Sequence, residues 1–303
     1  MGFDVARLAT VQLVPLTPFT ADGSEVAVAA MQSHARRCYD AGIRVFIPGA
    51  GTGEFQSLSA GEVVACVEAV RTAVGGDATI VAPIGLGLGH ALAIGRGAIR
   101  AGADALLVMP PVHPYLSDPG IKDYFHVLMD ALPLPFLAYK KGPFPTDELL
   151  TELGASGRLI GVKYAVNEVD SVTRFIAANR GKLEVYCGTA ERYAPFFHLA
   201  GAKGFTSGAG NLCPRLSLAL HAALDRGDQG RAMELLRLIR PIEDYRARSG
   251  DSYNISMLKC GARLLGHDLG LPRPPQRRLT AAEEAEIAAI LEPILKAEAE
   301  LAG

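Results

Sequence analysis

The chain has 303 residues, of which 49% are hydrophobic and 20% charged, and its mean hydropathy is +0.20. This composition provides a large core and excludes a mainly disordered protein. Thirty Lys and Arg residues nearly balance 32 Asp and Glu residues, giving a formal charge of -2. No long basic run is present, so the sequence argues against a nucleic-acid partner.

Two further features indicate a cytoplasmic protein without a membrane segment. The first residues lack the apolar stretch of a signal peptide, and no window contains roughly 18 consecutive apolar residues. The cysteines are odd in number and never form a C-x-x-C pair, which favours reduced thiols over disulfides or a zinc site. They are Cys38, Cys66, Cys187, Cys213 and Cys260.

Eight short apolar runs recur along the chain, and helix-like segments such as residues 26–41 and 61–74 lie between them. The runs begin about 20 to 35 residues apart, which is the length of a β-loop-α-loop unit. They are almost continuously apolar, as in parallel strands buried on both faces. We therefore predict an α/β fold, a (β/α)₈ TIM barrel. The predicted strands are Val11–Leu16, Val45–Gly49, Thr79–Gly85, Ala105–Pro110, Pro135–Tyr139, Leu159–Tyr164, Glu184–Gly188 and Gly204–Gly208.

The strand pattern stops after Leu212, and the rest of the chain is predicted to be helical. We expect residues 1–212 to form the barrel with the active site, and residues 213–303 to form a C-terminal helical extension packed on it. A short Pro-rich stretch, residues 271–275, is interpreted as a connector within this extension. The predicted helices are Leu216–Arg226, Gly230–Arg248, Tyr253–Gly266 and Ala281–Ala302.

Active sites of such barrels lie at the carboxyl ends of the strands, so polar residues that end strands are the first candidates. Lys163 is unusual because it follows four apolar or small residues in a predicted buried strand. A buried lysine must be paired or have a lowered pKa, and a lysine with a lowered pKa is a nucleophile for carbonyls. A structural ion pair, or a strand-end lysine that reaches solvent, is the alternative.

Two other strand ends carry suitable chemistry. Residues 49–54 are mostly small, so their backbone N–H groups could approach a carboxylate closely. The alternative is a tight turn with Glu54 in the first turn of the next helix. Tyr139 could carry a proton to and from a substrate, or it could simply pack with a satisfied hydroxyl. The seven histidines are scattered, so we expect no catalytic metal.

Several segments in order give the chain a family resemblance. Gly51–Glu54 follows the second predicted strand, Tyr139 ends the fifth, and Gly161–Lys163 lies in the sixth. With these segments the sequence resembles the dihydrodipicolinate synthase and N-acetylneuraminate lyase family, from about Leu8 to Leu291. Further segments that support the resemblance are Leu16–Phe19, Ala101–Asp104, Gly188–Glu191 and Gly204–Gly208.

The resemblance implies a mechanism as well as a fold. Lys163 would form a Schiff base with the ketone of a 2-oxo acid, and Tyr139 would transfer protons. Backbone amides and the Thr52 hydroxyl would hold the substrate carboxylate. No dissociable cofactor is required, the partner is a small-molecule 2-oxo acid, and a homo-oligomer such as a dimer or tetramer is expected. The residues expected to bind substrate are Gly51, Thr52, Gly53, Gly188, Thr206, Ser207 and Lys140.

The sequence departs from the synthase pattern at three positions. Gly51 replaces the first of two consecutive threonines that belong to a hydroxyl relay in the synthases. Residues 110–115, which include Val112, lack the Tyr-Tyr pair expected after the fourth strand. Phe144 stands where the synthases carry an arginine for a distal carboxylate, and Lys140 or Lys141 is the candidate replacement, without the same planar fork.

Other segments resemble the 5-dehydro-4-deoxyglucarate dehydratase branch of the family. They are Gly51–Leu58, Tyr253–Lys259, Gly261–Gly266 and Arg273–Pro275. We therefore predict a Schiff-base lyase for a 2-oxo-3-deoxy sugar acid, acting as a dehydratase or an aldolase. Dihydrodipicolinate synthase itself is the alternative enzyme. A non-catalytic 2-oxo-acid sensor is a further alternative, although a sensor has no need for both Lys163 and Tyr139.

Overall fold

The structure is a computed structural model that describes residues 3–302. Within these residues eight parallel strands form a closed barrel, in which each strand pairs with the next and the eighth pairs with the first. This confirms the predicted (β/α)₈ barrel. The strands are β1 Val11–Leu13, β2 Val45–Phe46, β3 Thr79–Ile84, β4 Ala105–Val108, β5 Phe136–Lys140, β6 Leu159–Tyr164, β7 Glu184–Cys187 and β8 Gly204–Ser207.

A helix follows each strand, and further helices form the C-terminal part of the described chain. The first eight are α1 Val28–Asp40, α2 Ala60–Val74, α3 Leu88–Arg100, α4 Asp118–Ala131, α5 Asp147–Gly154, α6 Val169–Ala178, α7 Ala190–Ala200 and α8 Pro214–Asp225. The others are α9 Gln229–Arg246, α10 Arg248–Asp251, α11 Asn254–Leu264 and α12 Ala281–Glu300. Among residues 3–302, no helix is long and apolar enough to cross a membrane.

The helix α8 lies at the proposed boundary between barrel and extension. It follows β8 and contacts β1 as well as α7 and α9. C-terminal helices are therefore present as predicted, and α8 occupies the position of the eighth helix around the barrel. The division of the chain at residue 212 stays a prediction.

Most strands end earlier than their apolar runs suggest. Thus β1 ends at Leu13 and β2 at Phe46, although the following residues as far as Leu16 and Gly49 are also buried. These residues leave the ladder and continue as loops at the mouth of the barrel. Residues of a buried strand and residues of a buried loop are both apolar. The apolar pattern therefore could not show where a strand ends and the loop begins.

The extension is tied to the barrel mouth by a buried ion pair. Lys259 of α11 lies 2.9 Å from Glu54, and the two side chains are 2% and 0% exposed. The other carboxylate oxygen of Glu54 accepts a hydrogen bond from the backbone N–H of Arg273 at 2.8 Å. Both Glu54 oxygens are thus held by the extension, which fixes the loop after β2.

The Arg273 side chain extends the same attachment to two loops of the barrel. Its guanidinium donates to the carbonyls of Gly23, Ser24 and Ser57 at 2.8 to 2.9 Å and to the Glu62 carboxylate at 2.6 Å. All five N–H donors of an arginine have fixed directions, so these contacts define the position of the connector. The segment after α11 therefore fastens the β1–α1 and β2–α2 loops together.

The ion pair gives the first testable prediction. The substitution Lys259→Met should lower the free energy of unfolding by about 3–5 kcal/mol, because it leaves the Glu54 charge buried without its cation. Arg263→Met is the matched control: its pair with Glu284 is exposed and should contribute about 0–1 kcal/mol. Urea unfolding of both variants measures the difference. Equal losses would show that the buried pair has no special role.

Candidate active site

A cavity of about 420 Å³ opens at the carboxyl ends of the barrel strands. Its wall contains residues from the loops after β2, β4, β7 and β8, from β5 and β6 themselves, and from the C-terminal extension. The structure thus brings together most of the site residues predicted from the sequence. Those that line the cavity are Gly51, Thr52, Tyr139, Lys163, Gly188, Thr206 and Ser207.

Lys163 lies in the wall of this cavity and is only 5% exposed. Burial is the main cause that lowers its pKa, to about 7, and the positive charges of Lys141 and Arg246 act in the same direction. A substantial fraction of the amine is therefore neutral near neutral pH, which is the form that attacks carbonyls. The alternative of a structural ion pair does not apply among the described residues.

Tyr139 faces Lys163 from the neighbouring strand. The two residues are register partners between β5 and β6, and the Lys163 Nζ lies 4.0 Å from the centroid of the Tyr139 ring. Burial, and then the negative charge of Asp251, raise the pKa of Tyr139 to about 12. The phenol stays protonated at neutral pH and can donate a proton next to the amine.

Gly188 makes room for the lysine. A Cβ at this position would lie 2.9 Å from the carbonyl oxygen of Tyr164 and 3.0 Å from Cγ of Lys163. Any side chain at the end of β7 would therefore push against the lysine stem. The predicted contribution of Gly188 to substrate binding stays a prediction, but its small size has a structural reason.

The loop after β2 forms the opposite side of the cavity. Gly51–Gly53 is a short 3₁₀ turn, and Glu54 follows in the left-handed region at φ 65°. Gly51 and Thr52 border the cavity, whereas Gly53 lies behind them, where its carbonyl accepts a hydrogen bond from Thr17 Oγ1 at 2.6 Å. The interpretation of Glu54 as part of the next helix is wrong, because α2 begins at Ala60.

The structure contradicts the prediction that Lys140 binds substrate. The strand β5 runs one residue further than predicted, so Lys140 lies within it, on the face opposite to Tyr139. Its ammonium donates to the carbonyl of Pro145 at 2.8 Å and lies 3.2 Å from Asp147. Alternation along a strand sends neighbouring side chains to opposite faces, and it is Lys141 that lines the cavity.

The extension contributes residues that the sequence analysis missed. They include Glu243 and Arg246 of α9, Asp251 and Asn254. The helix α9 carries a buried apolar stripe that includes Ile239 and Ile242. Glu243 and Arg246 lie one turn further along the same helix face. Charged residues on an otherwise apolar face are unusual, so this pattern could have identified them from the sequence.

Glu191 is fully buried directly behind the cavity wall. Its Oε1 accepts hydrogen bonds from the hydroxyls of Ser207 at 2.5 Å and Ser217 at 2.6 Å. Burial and the nearby Glu243 carboxylate raise the pKa of Glu191 to about 7. Ser207, which borders the cavity, is thus oriented by a carboxyl group below it.

Unusual backbone conformations cluster around the cavity. Ala190 and Asp251 both line it and have φ values of 60° and 65°, in the left-handed region that non-glycine residues rarely adopt. Glu54, in the loop beside the cavity, shares this conformation. Such strain persists only where the surrounding packing enforces it, and it is concentrated at functional sites.

The described residues contain no group of three or more His, Cys, Asp and Glu side chains arranged to hold a metal ion. All five cysteines are free and buried. Burial raises the pKa of the Cys187 thiol, which lies in β7 beside the cavity, to about 12. This thiol is therefore protonated and packs as a small apolar group.

A (β/α)₈ barrel with a buried amine of lowered pKa at its mouth is the arrangement expected of a lysine Schiff-base lyase, and comparison with known proteins supports this class. A profile of the dihydrodipicolinate synthetase family matches residues 7–294. The chain belongs to this family. The resemblance noted in the sequence is thereby confirmed over almost the whole chain.

Individual relatives show both branches of the family. The chain is 30% identical over 287 residues to a probable 5-dehydro-4-deoxyglucarate dehydratase of Streptomyces coelicolor, covering 92% of this chain and 90% of the relative. It is 30% identical over 288 residues to a 4-hydroxy-tetrahydrodipicolinate synthase of Corynebacterium diphtheriae, covering 93% and 92%. The crystal structure of a dihydrodipicolinate synthase from Oceanobacillus iheyensis is similar with a TM-score of 0.91 and 33% identity, covering 95% and 98%.

The lowered pKa of Lys163 predicts how imine formation depends on pH. Below a pKa of about 7 the lysine is mainly protonated and cannot attack, whereas above it the free amine predominates. The rate of trapping pyruvate with cyanoborohydride, corrected for the reductant's own pH dependence, should rise about tenfold per pH unit below this pKa and then level off. A lysine with an ordinary pKa of about 10.5 would instead keep gaining through pH 9.

Peptide mapping of the trapped protein identifies the reacting residue. The adduct should lie on Lys163 and be absent from Lys140, whose ammonium is held by Pro145 and Asp147. An adduct on Lys140 or Lys141 in place of Lys163 would contradict the assignment of the nucleophile.

Proposed function

We propose that the protein dehydrates a 2-oxo-3-deoxy sugar acid through an imine at Lys163, in the manner expected of a 5-dehydro-4-deoxyglucarate dehydratase. The observation that carries this proposal is the buried Lys163 amine with the Tyr139 ring 4.0 Å from it. The Streptomyces relative, whose name is that of a deoxyglucarate dehydratase, supports the choice of reaction.

The first half of the proposed reaction forms the imine. The Lys163 amine attacks the 2-oxo carbon, giving a carbinolamine whose hydroxyl leaves as water after protonation. Tyr139 is the proposed donor of that proton, because its phenol is protonated and lies beside the amine. The protonated imine that results withdraws electrons from the neighbouring carbon.

The second half removes water from the sugar chain. A proton leaves carbon 3, its electron pair forms the enamine, and the enamine then expels the hydroxyl from carbon 4. That hydroxyl takes up a proton and departs as water, which leaves a conjugated, unsaturated imine. Hydrolysis of this imine releases the product and regenerates the Lys163 amine. Tyr139 is the proposed group that moves protons in these steps as well.

The substrate carboxylate next to the ketone is proposed to lie against Gly51 and Thr52. Both residues border the cavity on the loop that Lys259 and Arg273 fasten. The Thr52 hydroxyl and backbone N–H groups of this loop are the proposed donors. A loop held by a buried ion pair gives donors of defined direction, which an oxyanion site requires.

Condensation by a dihydrodipicolinate synthase is the second candidate. The Corynebacterium relative and the Oceanobacillus structure, each at least 30% identical, favour it. Two residues argue against it. Gly51 replaces the relay threonine, and Phe144 replaces the arginine that is expected to bind a distal carboxylate. Phe144 packs against the hydrophobic core and offers no charge to a second substrate. An aldol cleavage would share the same imine and is separated from dehydration by its products.

Assembly and location stay predictions. We expect a homo-oligomer, such as a dimer or tetramer, in the cytoplasm. Two large side chains in the loop after β4 support an oligomer, since Val112 is 68% exposed and Tyr115 is 86% exposed. Light scattering after size-exclusion chromatography measures the oligomeric state.

The role of Tyr139 is tested by Tyr139→Phe. We expect turnover to fall by about 10²- to 10⁴-fold, because a positioned proton donor is lost. Tyr124→Phe is the matched control: its hydroxyl binds the Leu86 carbonyl at 3.1 Å in a different groove, so turnover should stay close to wild type. Wild-type turnover in Tyr139→Phe would exclude proton transfer by this phenol.

The choice between dehydration and condensation is tested by comparing substrates. We expect efficient conversion of at least one 2-oxo-3-deoxy sugar acid to a product lighter by one water, or by water and a further fragment, in mass spectrometry. With pyruvate and aspartate semialdehyde, kcat/KM should remain well below about 10⁴ M⁻¹s⁻¹, because the distal arginine and the relay threonine are absent. Efficient condensation would favour the synthase, and cleavage to pyruvate would favour an aldolase.

A further inference from the structure

A guanidinium from outside the barrel borders the cavity. Arg246 is the last residue of α9, is only 5% exposed and lines the cavity wall. It lies directly over the backbone at the end of β8, where a Cβ at Gly208 would overlap its Nη atoms. The absence of a side chain at Gly208 therefore allows the guanidinium to reach the site.

The hydrogen bonds of Arg246 leave part of its donor capacity unused. Nε donates to the Asn254 carbonyl at 3.2 Å, Nη1 to Glu243 Oε1 at 2.5 Å, and Nη2 to the Asn254 side-chain oxygen at 2.8 Å. A guanidinium has five N–H donors, so one on each Nη remains without a partner among the described residues. The unused donors on the two terminal nitrogens leave the guanidinium able to bind a further carboxylate.

We propose that Arg246 binds the second carboxylate of a dicarboxylic sugar acid, and that it makes the enzyme selective for substrates charged at both ends. This inference rests on the proposed imine at Lys163, which anchors the opposite end of the same molecule. Glu243 and Asn254 act as positioning residues, since they occupy the remaining donors and fix the plane of the guanidinium.

The placement of Arg246 suits a ligand that is anchored at Lys163. Lys163 lies in β6 and Gly208 follows β8, and β7 lies between them. Two strand spacings amount to about 10 Å, so the far end of a six-carbon acid held at Lys163 is within reach of the long Arg246 side chain. An acid with six carbons has its second carboxylate at the far end of the chain from the imine.

The charges of the cavity wall also favour a dianion. Cationic groups outnumber anionic ones among its acidic and basic residues, which are Lys141, Lys163, Arg192, Arg246, Glu243 and Asp251. Glu243 and Arg246 form an ion pair whose charges compensate each other, so the positive excess comes from Lys141, Lys163 and Arg192 against Asp251. Low dielectric around buried groups strengthens the attraction for a second carboxylate.

The position of this arginine differs from that of the distal arginine in the synthases. Phe144 occupies the corresponding place after β5, and Lys140 faces away from the cavity. Arg246 comes from the extension, on another side of the barrel mouth. A carboxylate bound there belongs to the molecule that carries the imine, whereas the synthase arginine serves a second substrate.

Two probes of equal chain length test the proposal on the wild-type protein. The acids 2-oxoadipate and 2-oxohexanoate both have six carbons and a 2-oxo group, and they differ in the carboxylate at carbon 6. We expect imine trapping on Lys163 to be half-saturated at about a 10- to 100-fold lower concentration of 2-oxoadipate, as a charged bidentate contact would give. Equal half-saturation would overturn the proposal while leaving the imine intact.

Substitutions assign the preference to the guanidinium. Arg246→Gln should abolish the preference for 2-oxoadipate, and Arg246→Lys should restore part of it, because a lysine keeps the charge without the planar fork. Arg248→Gln is the matched control, since Arg248 lies two residues away, is exposed and pairs with Glu286. A preference that survives in Arg246→Gln, or disappears equally in Arg248→Gln, would overturn the assignment.

A third variant covers the case in which Arg246→Gln does not fold. Asn254→Ala keeps the charge but removes one bond that orients the guanidinium. It should reduce the preference between the two probes while trapping of either acid is retained. An unchanged preference would contradict the positioning role. Failure of the wild-type protein to trap any 2-oxo acid at Lys163 would instead contradict the proposed function itself.

Discussion

Burial of one ammonium group governs the arrangement of this site. Lys163 is carried by a strand of a closed barrel, so its side chain enters an interior where a positive charge is poorly solvated. Loss of hydration, with the charges of Lys141 and Arg246, lowers the pKa of Lys163 to about 7. The same burial raises the pKa of Tyr139 to about 12, which keeps a proton beside the free amine. A nucleophile and a proton donor thus arise from one environment.

The C-terminal extension is part of the active site as well as part of the fold. Through Lys259 and Arg273 it holds Glu54, and with Glu54 the loop that is proposed to bind the first carboxylate. Through Arg246 it supplies a cation to the cavity wall. The extension also acts on the amine itself, because the positive charge of Arg246 helps to lower the pKa of Lys163.

Within the family, the imine chemistry and the choice of reaction depend on different groups. A barrel that holds a lysine and a tyrosine in register provides the imine chemistry shared by condensation, cleavage and dehydration. The outcome depends on which other groups reach carbons 3 and 4 of the substrate and on where its far end is held. At Gly51 and Phe144 this chain departs from the pattern expected of the condensing enzymes, and Arg246 is the contact proposed in their place.

The barrel could be predicted from the sequence, which also offered Lys163 and Tyr139 as candidates for the site. Eight apolar runs at regular spacing are a local signal, because each strand buried on both faces must be apolar whatever its neighbours are. Lys163 was visible because a charge in such a run is exceptional. The tertiary fold was needed to place Lys140, because β5 extends one residue past its predicted end and alternation then directs this side chain away from Tyr139. It also decided that Arg246 reaches the cavity, because that contact joins α9 to the end of β8, and no local pattern records a contact between segments so far apart in the chain.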